Sequence, residues 1–227
     1  PYQETYTTTL GKAAEDVVNM GIKPPAVFVV GNVVKLREEM RWFDNRPLFG
    51  KRIIVTRSRS QASRLVTVLD QKGAETLEIP TIAIRDPSDD FKGMDEALDR
   101  LEMYDWLIFT SQNGVDSFFR RLYQSGRDTR ALGHMKIGAI GPATARQLTR
   151  HGLHADCVPA KYKAENLLAE MKPLLKGYEK VLIPRAKVAR SVLPEGLRDL
   201  GCRVDVVEAY RTEADTAHKE ELLDVLE

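Results

Sequence analysis

Short apolar runs alternate with amphipathic stretches from residue 51 onward, and this alternation predicts a series of βα units. The runs are rich in Val, Ile and Leu, as expected of buried strands, whereas the stretches between them carry apolar residues at helical spacing. The predicted strands are residues 53–56, 75–79, 106–109, 136–140, 155–158, 180–183 and 203–207, and the predicted helices are residues 61–71, 91–101, 114–124, 142–151, 164–171 and 189–200. Such alternation favours an α/β fold with a parallel sheet flanked by helices.

One strand–loop–helix–strand segment occurs twice in the chain. Residues 180–212 align without gaps on residues 52–84, at a constant offset of 128 positions. Arg57 aligns with Arg185, and the glycine that should end each helix aligns as well. All βαβ units resemble one another in general, but a full pattern at one fixed offset indicates an internal duplication. The duplication predicts two similar parallel-sheet domains.

The duplication also predicts where the domains begin and end. Residues 82–85 continue almost directly from the strand at 75–79, and residues 210–213 occupy the matching place in the second copy. Both segments are therefore expected to cross between domains in extended form. One domain then comprises residues 82–212, and the other comprises residues 51–81 and 213–227. At the same offset, the counterparts of the later loops would fall beyond residue 227, so the first domain is expected to be incomplete in this chain.

Residues 1–46, followed by a linker to Gly50, do not belong to the repeat. Their pattern predicts a helix that ends at Gly21, a turn at Pro24 and Pro25, a strand at residues 26–30 and a helix at residues 33–42. A helix–strand–helix of this size cannot bury a core by itself. It is therefore expected to pack on something else.

Composition narrows the class of protein. A formal net charge of +1 argues against a nucleic-acid partner, and no apolar run reaches the length of a membrane span, so neither partner is expected. The two cysteines, Cys157 and Cys202, have neither metal-binding nor redox spacing. They are expected to be buried, reduced thiols of a cytoplasmic protein.

Four polar loops follow predicted strands, at the edge of a parallel sheet where ligands commonly bind. They combine guanidinium groups, hydroxyls, amides and the backbone N–H groups that open helices, which together suit carboxylates or phosphates. The candidate ligand-binding residues in these loops are Arg57, Thr110, Ser111, Gln112, Asn113, Gly141, Thr144, Arg185 and Arg190.

Each of these residues also has a purely structural interpretation. Ser and Thr where a strand joins a helix commonly cap the helix, and Pro142 would initiate one. Tyr210 follows a hydrophobic strand in the segment EAYRT. Its position is explained equally well by core packing with the hydroxyl at the rim and by a phenol in an interdomain cleft that serves as proton donor or hydrogen-bond anchor. The sequence contains no Rossmann fingerprint, P-loop or clustered Cys and His.

Several of these segments resemble a known family in their order along the chain. IIVTRSRSQASRL, LIFTSQNGV, IGAIGPATARQL and VLIPRAKVARSVLPEGLRDLGCRVDVVEAYRT resemble successive motifs of uroporphyrinogen-III synthases, over residues 50–212. The preceding segment, IKPPAVFVVGNVVKLREEMRWF, resembles the C-terminal end of uroporphyrinogen-III C-methyltransferases, without the Gly-rich loops with which that family binds S-adenosylmethionine. Residues 1–46 are therefore expected to be the remnant of a methyltransferase fused to the synthase in the parent protein.

The resemblance implies two α/β domains with a cleft between them and two extended connections. It implies a lyase that converts hydroxymethylbilane to uroporphyrinogen III, with loss of water and inversion of ring D through a spiro intermediate. No metal or organic cofactor is implied. A Tyr at the position of Tyr210 is the usual candidate for the proton donor, and hydroxyl residues at the positions of Ser111 and Thr144 line the cleft.

Two other functions share features with this sequence. A non-enzymatic two-domain clamp for a small anion would have the same architecture and the same basic loops. Methylation of uroporphyrinogen III with S-adenosylmethionine would be an activity of the intact fusion protein. The isomer formed from hydroxymethylbilane distinguishes the synthase from the clamp, and a titration with S-adenosylmethionine tests the third possibility.

Overall fold

The computed structural model describes residues 3–57 and 59–226. Contacts within the chain divide it into two compact units. The first contains the residues up to Thr81 together with those from Asp215 onward, and the second is the continuous segment Ile82–Ala214. None of the helices in the described ranges is long and apolar enough to cross a membrane.

The first unit contains a two-stranded parallel sheet. Strands β1 (Arg52–Val55) and β2 (Glu75–Glu78) pair along their whole length and are connected by a helix, Arg59–Gln71. A shorter helix, Ala13–Asn19, precedes them, and a last helix, Lys219–Leu226, follows the second unit in the chain. Among the described residues of this unit, the fully buried aliphatic side chains are Val55 and Ile79.

The predicted strand at residues 26–30 was wrong. These residues pair with no strand in the described ranges, and Val27 and Phe28 are 89% and 69% exposed. An apolar run becomes a strand only when another strand satisfies its backbone groups and a core covers its side chains. The helix predicted next forms as a 3₁₀ turn, Asn32–Leu36, followed by one α-helical turn, Arg37–Met40.

The second unit is built on a five-stranded sheet. In chain order its strands are β3 (Ile82–Arg85), β4 (Trp106–Phe109), β5 (Lys136–Ala139), β6 (Lys180–Ala186) and β7 (Arg203–Ala214), and their spatial order is β3-β7-β6-β4-β5. Its helices are Lys92–Leu98, Gln112–Gln124, Pro142–Thr149, Ala164–Met171 and Val192–Asp199, with short 3₁₀ turns at Leu101–Met103, Thr129–Leu132 and Lys172–Leu174.

The predicted parallel sheet forms, but the sheet as a whole is mixed because one further strand joins it in the opposite direction. Strands β7, β6, β4 and β5 are parallel, but β3 is antiparallel to β7. Ile82 pairs with Ala214 and Arg85 with Arg211, so the two segments predicted to cross between domains pair with each other. Pairing satisfies the backbone groups that a lone extended segment would leave to solvent.

The predicted strand at residues 155–158 was also wrong, since this segment contributes a single bridge. Cys157 bridges Gly138 of β5, and the Cys157 carbonyl accepts a 2.9 Å hydrogen bond from the Ala139 N–H. The segment therefore covers the edge of β5 instead of extending the sheet, which protects the edge from unwanted pairing.

Apolar side chains bury both faces of the sheet in the second unit. Leu107, Phe109 and Leu182 belong to one cluster, which the helices 92–98, 112–124 and 142–149 cover. Ile108 and Ile183 belong to the other, which the helices 164–171 and 192–199 cover. Alternate residues of one strand point to opposite faces, so burial on both sides requires the continuous apolar runs seen in the sequence.

Candidate functional site

The polar loops after β4 and β5 meet at the carboxyl edge of the sheet. Phe109 pairs with Ala139, and the Ile140 N–H donates to the Phe109 carbonyl at 2.9 Å. The loops 110–114 and 141–144 are therefore neighbours. Gln112 ties them together, because its side-chain amide donates to the Ala143 carbonyl at 3.1 Å. Thr110, Gln112 and Asn113 are half-buried along this edge.

Ser111 both caps a helix and contacts a phenol. Its backbone is extended, and its Oγ accepts a 3.0 Å hydrogen bond from the Gly114 N–H in the first turn of helix 112–124. The same Oγ lies 3.0 Å from Oη of Tyr210. Because the cap bond occupies an acceptor position of the hydroxyl, the Ser111 proton can still be donated to Tyr210.

Tyr210 packs in the core with its hydroxyl at the edge of the sheet, and its role as proton donor stays a prediction. Its ring is 7% exposed and belongs to the same cluster as Phe109 and Val207. Its hydroxyl reaches the carboxyl edge of the sheet, at Ser111. The phenol ring is therefore packed among apolar side chains, and its oxygen has a hydroxyl partner.

Gly141 and Thr144 lie at the start of helix 142–149. Gly141 has extended backbone at the N-cap, Pro142 opens the helix and Thr144 is buried in its first turn. A Cβ on Gly141 would lie 3.1 Å from ring atoms of Tyr162, so the absence of a side chain allows that ring to pack directly on the backbone.

Arg185 lies on the other face of the sheet from Tyr210. In β6 it follows the alternation of Val181 and Ile183, which belong to the second cluster. Its Nη1 donates to the Arg190 carbonyl at 2.7 Å, and its Nε is buried with no partner among the described residues. Burial, and then the charge of Arg198, lowers the pKa of Arg185.

The remaining basic candidates are exposed. Arg190 pairs with Glu165 through Nη1 and Oε1 at 3.3 Å, with 67% and 50% of the two side chains exposed. Such a pair contributes little to stability, so solute carboxylates can compete for the guanidinium. Arg57 is exposed just beyond β1 in the first unit, and Ser58 of the same loop lies outside the described residues. The roles proposed for Arg57, Arg185 and Arg190 stay predictions.

One candidate that the sequence did not single out is Tyr162. Its ring packs on Gly141, yet the residue remains 64% exposed, and lysines precede and follow it. The sequence did contain a signal for this residue, because Tyr162 stands between two lysines shortly after the predicted strand at residues 155–158. In the described part of the chain, no group of three His, Cys, Asp or Glu side chains is arranged to hold a metal ion.

Comparison with known proteins agrees with this architecture. A model of the family described as uroporphyrinogen-III synthase HemD matches residues 63–227. The chain is 35% identical over 212 residues to the porphyrin biosynthesis protein HemD of Ruminiclostridium josui, a match covering 93% of this chain and 42% of that protein. It is 32% identical over 168 residues to a uroporphyrinogen-III synthase of Synechococcus elongatus, covering 74% of this chain and 62% of that protein.

A solved structure shares the fold. The crystal structure of a mutant uroporphyrinogen III synthase from Thermus thermophilus superposes with a TM-score of 0.56 at 22% identity, covering 77% of this chain and 69% of that one. This likeness supports the α/β fold alone. The chain spans less than two thirds of the length of these two curated relatives. Because the family model extends over most of its residues, the chain belongs to the uroporphyrinogen-III synthase family.

Proposed function

We propose that this protein is a lyase that closes hydroxymethylbilane to uroporphyrinogen III, with inversion of ring D through a spiro intermediate. The observation that carries the proposal is the pair Tyr210 and Ser111, whose hydroxyl oxygens lie 3.0 Å apart at the carboxyl edge of the sheet. Family membership supplies the substrate class. The chemistry requires no covalent nucleophile, which agrees with a site made of hydroxyls, amides and guanidinium groups.

In the proposed mechanism, Tyr210 protonates the departing hydroxyl. The C–O bond breaks with assistance from the pyrrole nitrogen lone pair, so that water leaves and an azafulvene-type cation forms. Ser111 donates a hydrogen bond to the phenolate that remains and keeps its own proton, since one acceptor position of its hydroxyl is taken by the Gly114 N–H. The substituted carbon of ring D attacks the cation and gives the spiro intermediate. The intermediate rearranges, and the pyrrole carbon at which the macrocycle closes releases its proton to the Tyr210 phenolate, which restores the phenol.

Positioning is the second requirement, because unguided closure gives the isomer with ring D uninverted. The substrate carries acetate and propionate groups along its length. We assign these carboxylates to the amides and hydroxyls of the loops after β4 and β5 (Thr110, Ser111, Gln112, Asn113, Gly141 and Thr144) and to Arg57, Arg185 and Arg190. Fixed donors of this kind stabilise the folded substrate without reorganising during the reaction.

The test is Tyr210→Phe, which retains the ring and removes the hydroxyl. We expect kcat for isomer III to fall by about 100-fold or more, as for loss of a general acid, with little change in unfolding temperature. Tyr178→Phe, at an exposed tyrosine of the same unit, is the matched control and should behave like wild type. Chromatography of the isomers formed from hydroxymethylbilane measures the turnover of both variants, and thermal unfolding measures their stability. Wild-type turnover in Tyr210→Phe would remove Tyr210 from the mechanism, and a wild-type chain that forms only the spontaneous isomer would refute the proposed function.

We also propose a domain assignment. Residues 51–81 with 213–227 belong to one synthase domain and residues 82–212 to a second, similar domain. Residues 1–46 derive from the C-terminal end of a methyltransferase fused to the synthase in the parent protein. This assignment rests on the segment IKPPAVFVVGNVVKLREEMRWF, which resembles the C-terminal end of uroporphyrinogen-III C-methyltransferases. A cytoplasmic location is supported by the two buried free thiols, Cys157 and Cys202.

A further inference from the structure

The pairing of β6 with β7 changes register next to Tyr210. From Lys180 with Arg203 to Arg185 with Glu208, the two strands pair residue by residue. Ala186 then pairs with Tyr210, so β7 contains one additional residue at this point. This is a β-bulge, a feature that bends a strand and changes the direction of the side chains that follow it.

The bulge determines which face Tyr210 occupies. Val207 and Ala209 both belong to the cluster that contains Phe109, as expected of residues two apart in a strand. Regular alternation would place residue 210 on the opposite face. Tyr210 nevertheless belongs to the same cluster, and its hydroxyl contacts Ser111 on that face. The additional residue therefore directs the phenol toward the carboxyl edge occupied by Ser111.

Three side chains tie the bulge to the segments around it. Glu208, the residue before the bulge, accepts hydrogen bonds from the backbone N–H and the Oγ of Ser88, both at 2.7 Å. Ser88 lies in the loop after β3. Lys187 donates from Nζ to the Ser88 Oγ at 2.9 Å and from its backbone N–H to the Tyr210 carbonyl at 3.0 Å. The loops after β3 and β6 thus hold the bulged strand from both sides.

We propose that Glu208, Ser88 and Lys187 are positioning residues that fix the bulge and thereby hold the Tyr210 phenol against Ser111. The catalytic part of this inference rests on the proposed function. Glu208 accepts both the N–H and the hydroxyl of Ser88, and the charge of its carboxylate strengthens both hydrogen bonds. An amide at residue 208 keeps an acceptor for the N–H but loses the charge, and its NH₂ group can face the Ser88 Oγ only if the hydroxyl turns to accept from it. Glu208→Gln is therefore a sharp test, because it removes the charge and changes the hydrogen bonding with almost no change in shape.

The kinetic experiment compares Glu208→Gln and Ser88→Ala with wild type in the full chain. We expect kcat for isomer III to fall on the order of tenfold in both, since small displacements of a catalytic group reduce the rate. We expect KM to change by less than about twofold, because neither side chain is assigned a substrate contact. Ser88→Thr keeps the hydroxyl and should restore most of the rate. Glu213→Gln is the control, since Glu213 lies on the same strand and pairs with Arg85 and Arg211 away from the bulge.

A second measurement does not depend on activity. In protein labelled with ¹³C at the tyrosine Cζ, the Tyr210 signal is assigned by its loss in Tyr210→Phe. The Tyr210 signal should move in Glu208→Gln and Ser88→Ala and stay in place in Ser88→Thr and Glu213→Gln. An unmoved signal or wild-type kcat in Glu208→Gln and Ser88→Ala would overturn the positioning role, even where Tyr210→Phe is inactive. If the wild-type chain forms no isomer III, the proposed function fails, and the Cζ signal alone decides whether these residues position Tyr210.

Discussion

A single hydroxyl, that of Ser111, serves two neighbours at the edge of the sheet. It accepts the Gly114 N–H and contacts the Tyr210 hydroxyl. The sequence alone leaves two roles open for Ser111, a helix cap or a contact in a functional site, since either role explains a Ser between a strand and a helix. The structure shows that the cap is formed and that the second contact is compatible with it. Local pattern could predict the cap, but the partner Tyr210 lies 99 positions away and could be found only from the fold.

Ser111→Ala should therefore reduce both stability and turnover, since it removes the helix cap and the contact with Tyr210. We expect a loss of about 1 kcal/mol in unfolding free energy, as for other N-cap substitutions, together with a clear fall in kcat because the Tyr210 phenolate loses its donor. Asp128→Ala provides the matched control, because Asp128 caps the 3₁₀ turn Thr129–Leu132 by accepting from the Arg130 N–H. It should cost similar stability and leave turnover intact. Equal turnover in the two variants would show that Ser111 acts only as a cap.

His151 should make stability depend on pH. Its ring stacks on Phe119 at 4.1 Å, and its Nδ1 lies 2.9 Å from the Tyr123 hydroxyl. Burial lowers the pKa of His151 below 6.5; Arg150 acts in the same direction, and Asp116 opposes it. The unfolded chain thus binds the proton of His151 more readily than the folded chain does. The contribution of neutral His151 to the unfolding free energy is therefore complete above pH 6.5, and it is lost as the pH falls through the folded-state pKa.

The test uses His151→Phe, which keeps an aromatic ring on Phe119 and removes the titration. Between pH 7.5 and pH 5, wild type should lose more unfolding free energy than this variant, as measured by urea denaturation at each pH. The same loss in both proteins would mean that other groups account for the pH dependence.

Strands that show as buried apolar runs could be predicted from the sequence. Strands that form only because a distant segment pairs with them could not. The buried run at β4 was predicted at its observed bounds, Trp106–Phe109. Strand β7 was predicted as residues 203–207 followed by a crossing segment, whereas it is one strand, Arg203–Ala214. Its second half exists because β3 pairs with it, and its bulge exists because of its register with β6. Neither pairing leaves a pattern in the neighbouring sequence.

The end of helix 192–199 depends on Gly201. Its φ is +91°, and a Cβ at this position would lie 2.4 Å from the Gly177 carbonyl oxygen. Gly201→Ala should therefore cost clearly more than the roughly 1–2 kcal/mol expected for a left-handed backbone alone. Gly126 is the matched control, because its φ is +77° and nothing lies within 4 Å of its Cβ position. Thermal unfolding of both alanine variants measures the difference. Equal losses of unfolding free energy would mean that the Gly177 carbonyl moves away from the new Cβ at no cost in stability.

For the whole molecule, the distribution of buried apolar residues differs between the two units. Both large clusters belong to Ile82–Ala214, where the sheet is covered on each face. In the first unit, among the residues that the structure describes, Val55 and Ile79 are the fully buried aliphatic ones. Burial of apolar surface is the main favourable term in folding, so the second unit should hold most of the stability of the chain.

Residues 82–214 should accordingly fold without the rest of the chain, since they form one continuous segment with its own core. Expressed alone, the segment should unfold in one cooperative transition in urea, at the midpoint of the major transition of the full chain. Two substitutions assign the transitions. Leu107→Ala should weaken the major transition by about 2–5 kcal/mol, because Leu107 is fully buried, whereas Val55→Ala should leave it unchanged. A segment that unfolds without cooperativity, or a major transition that responds to Val55→Ala, would show that the core of the second unit requires the first.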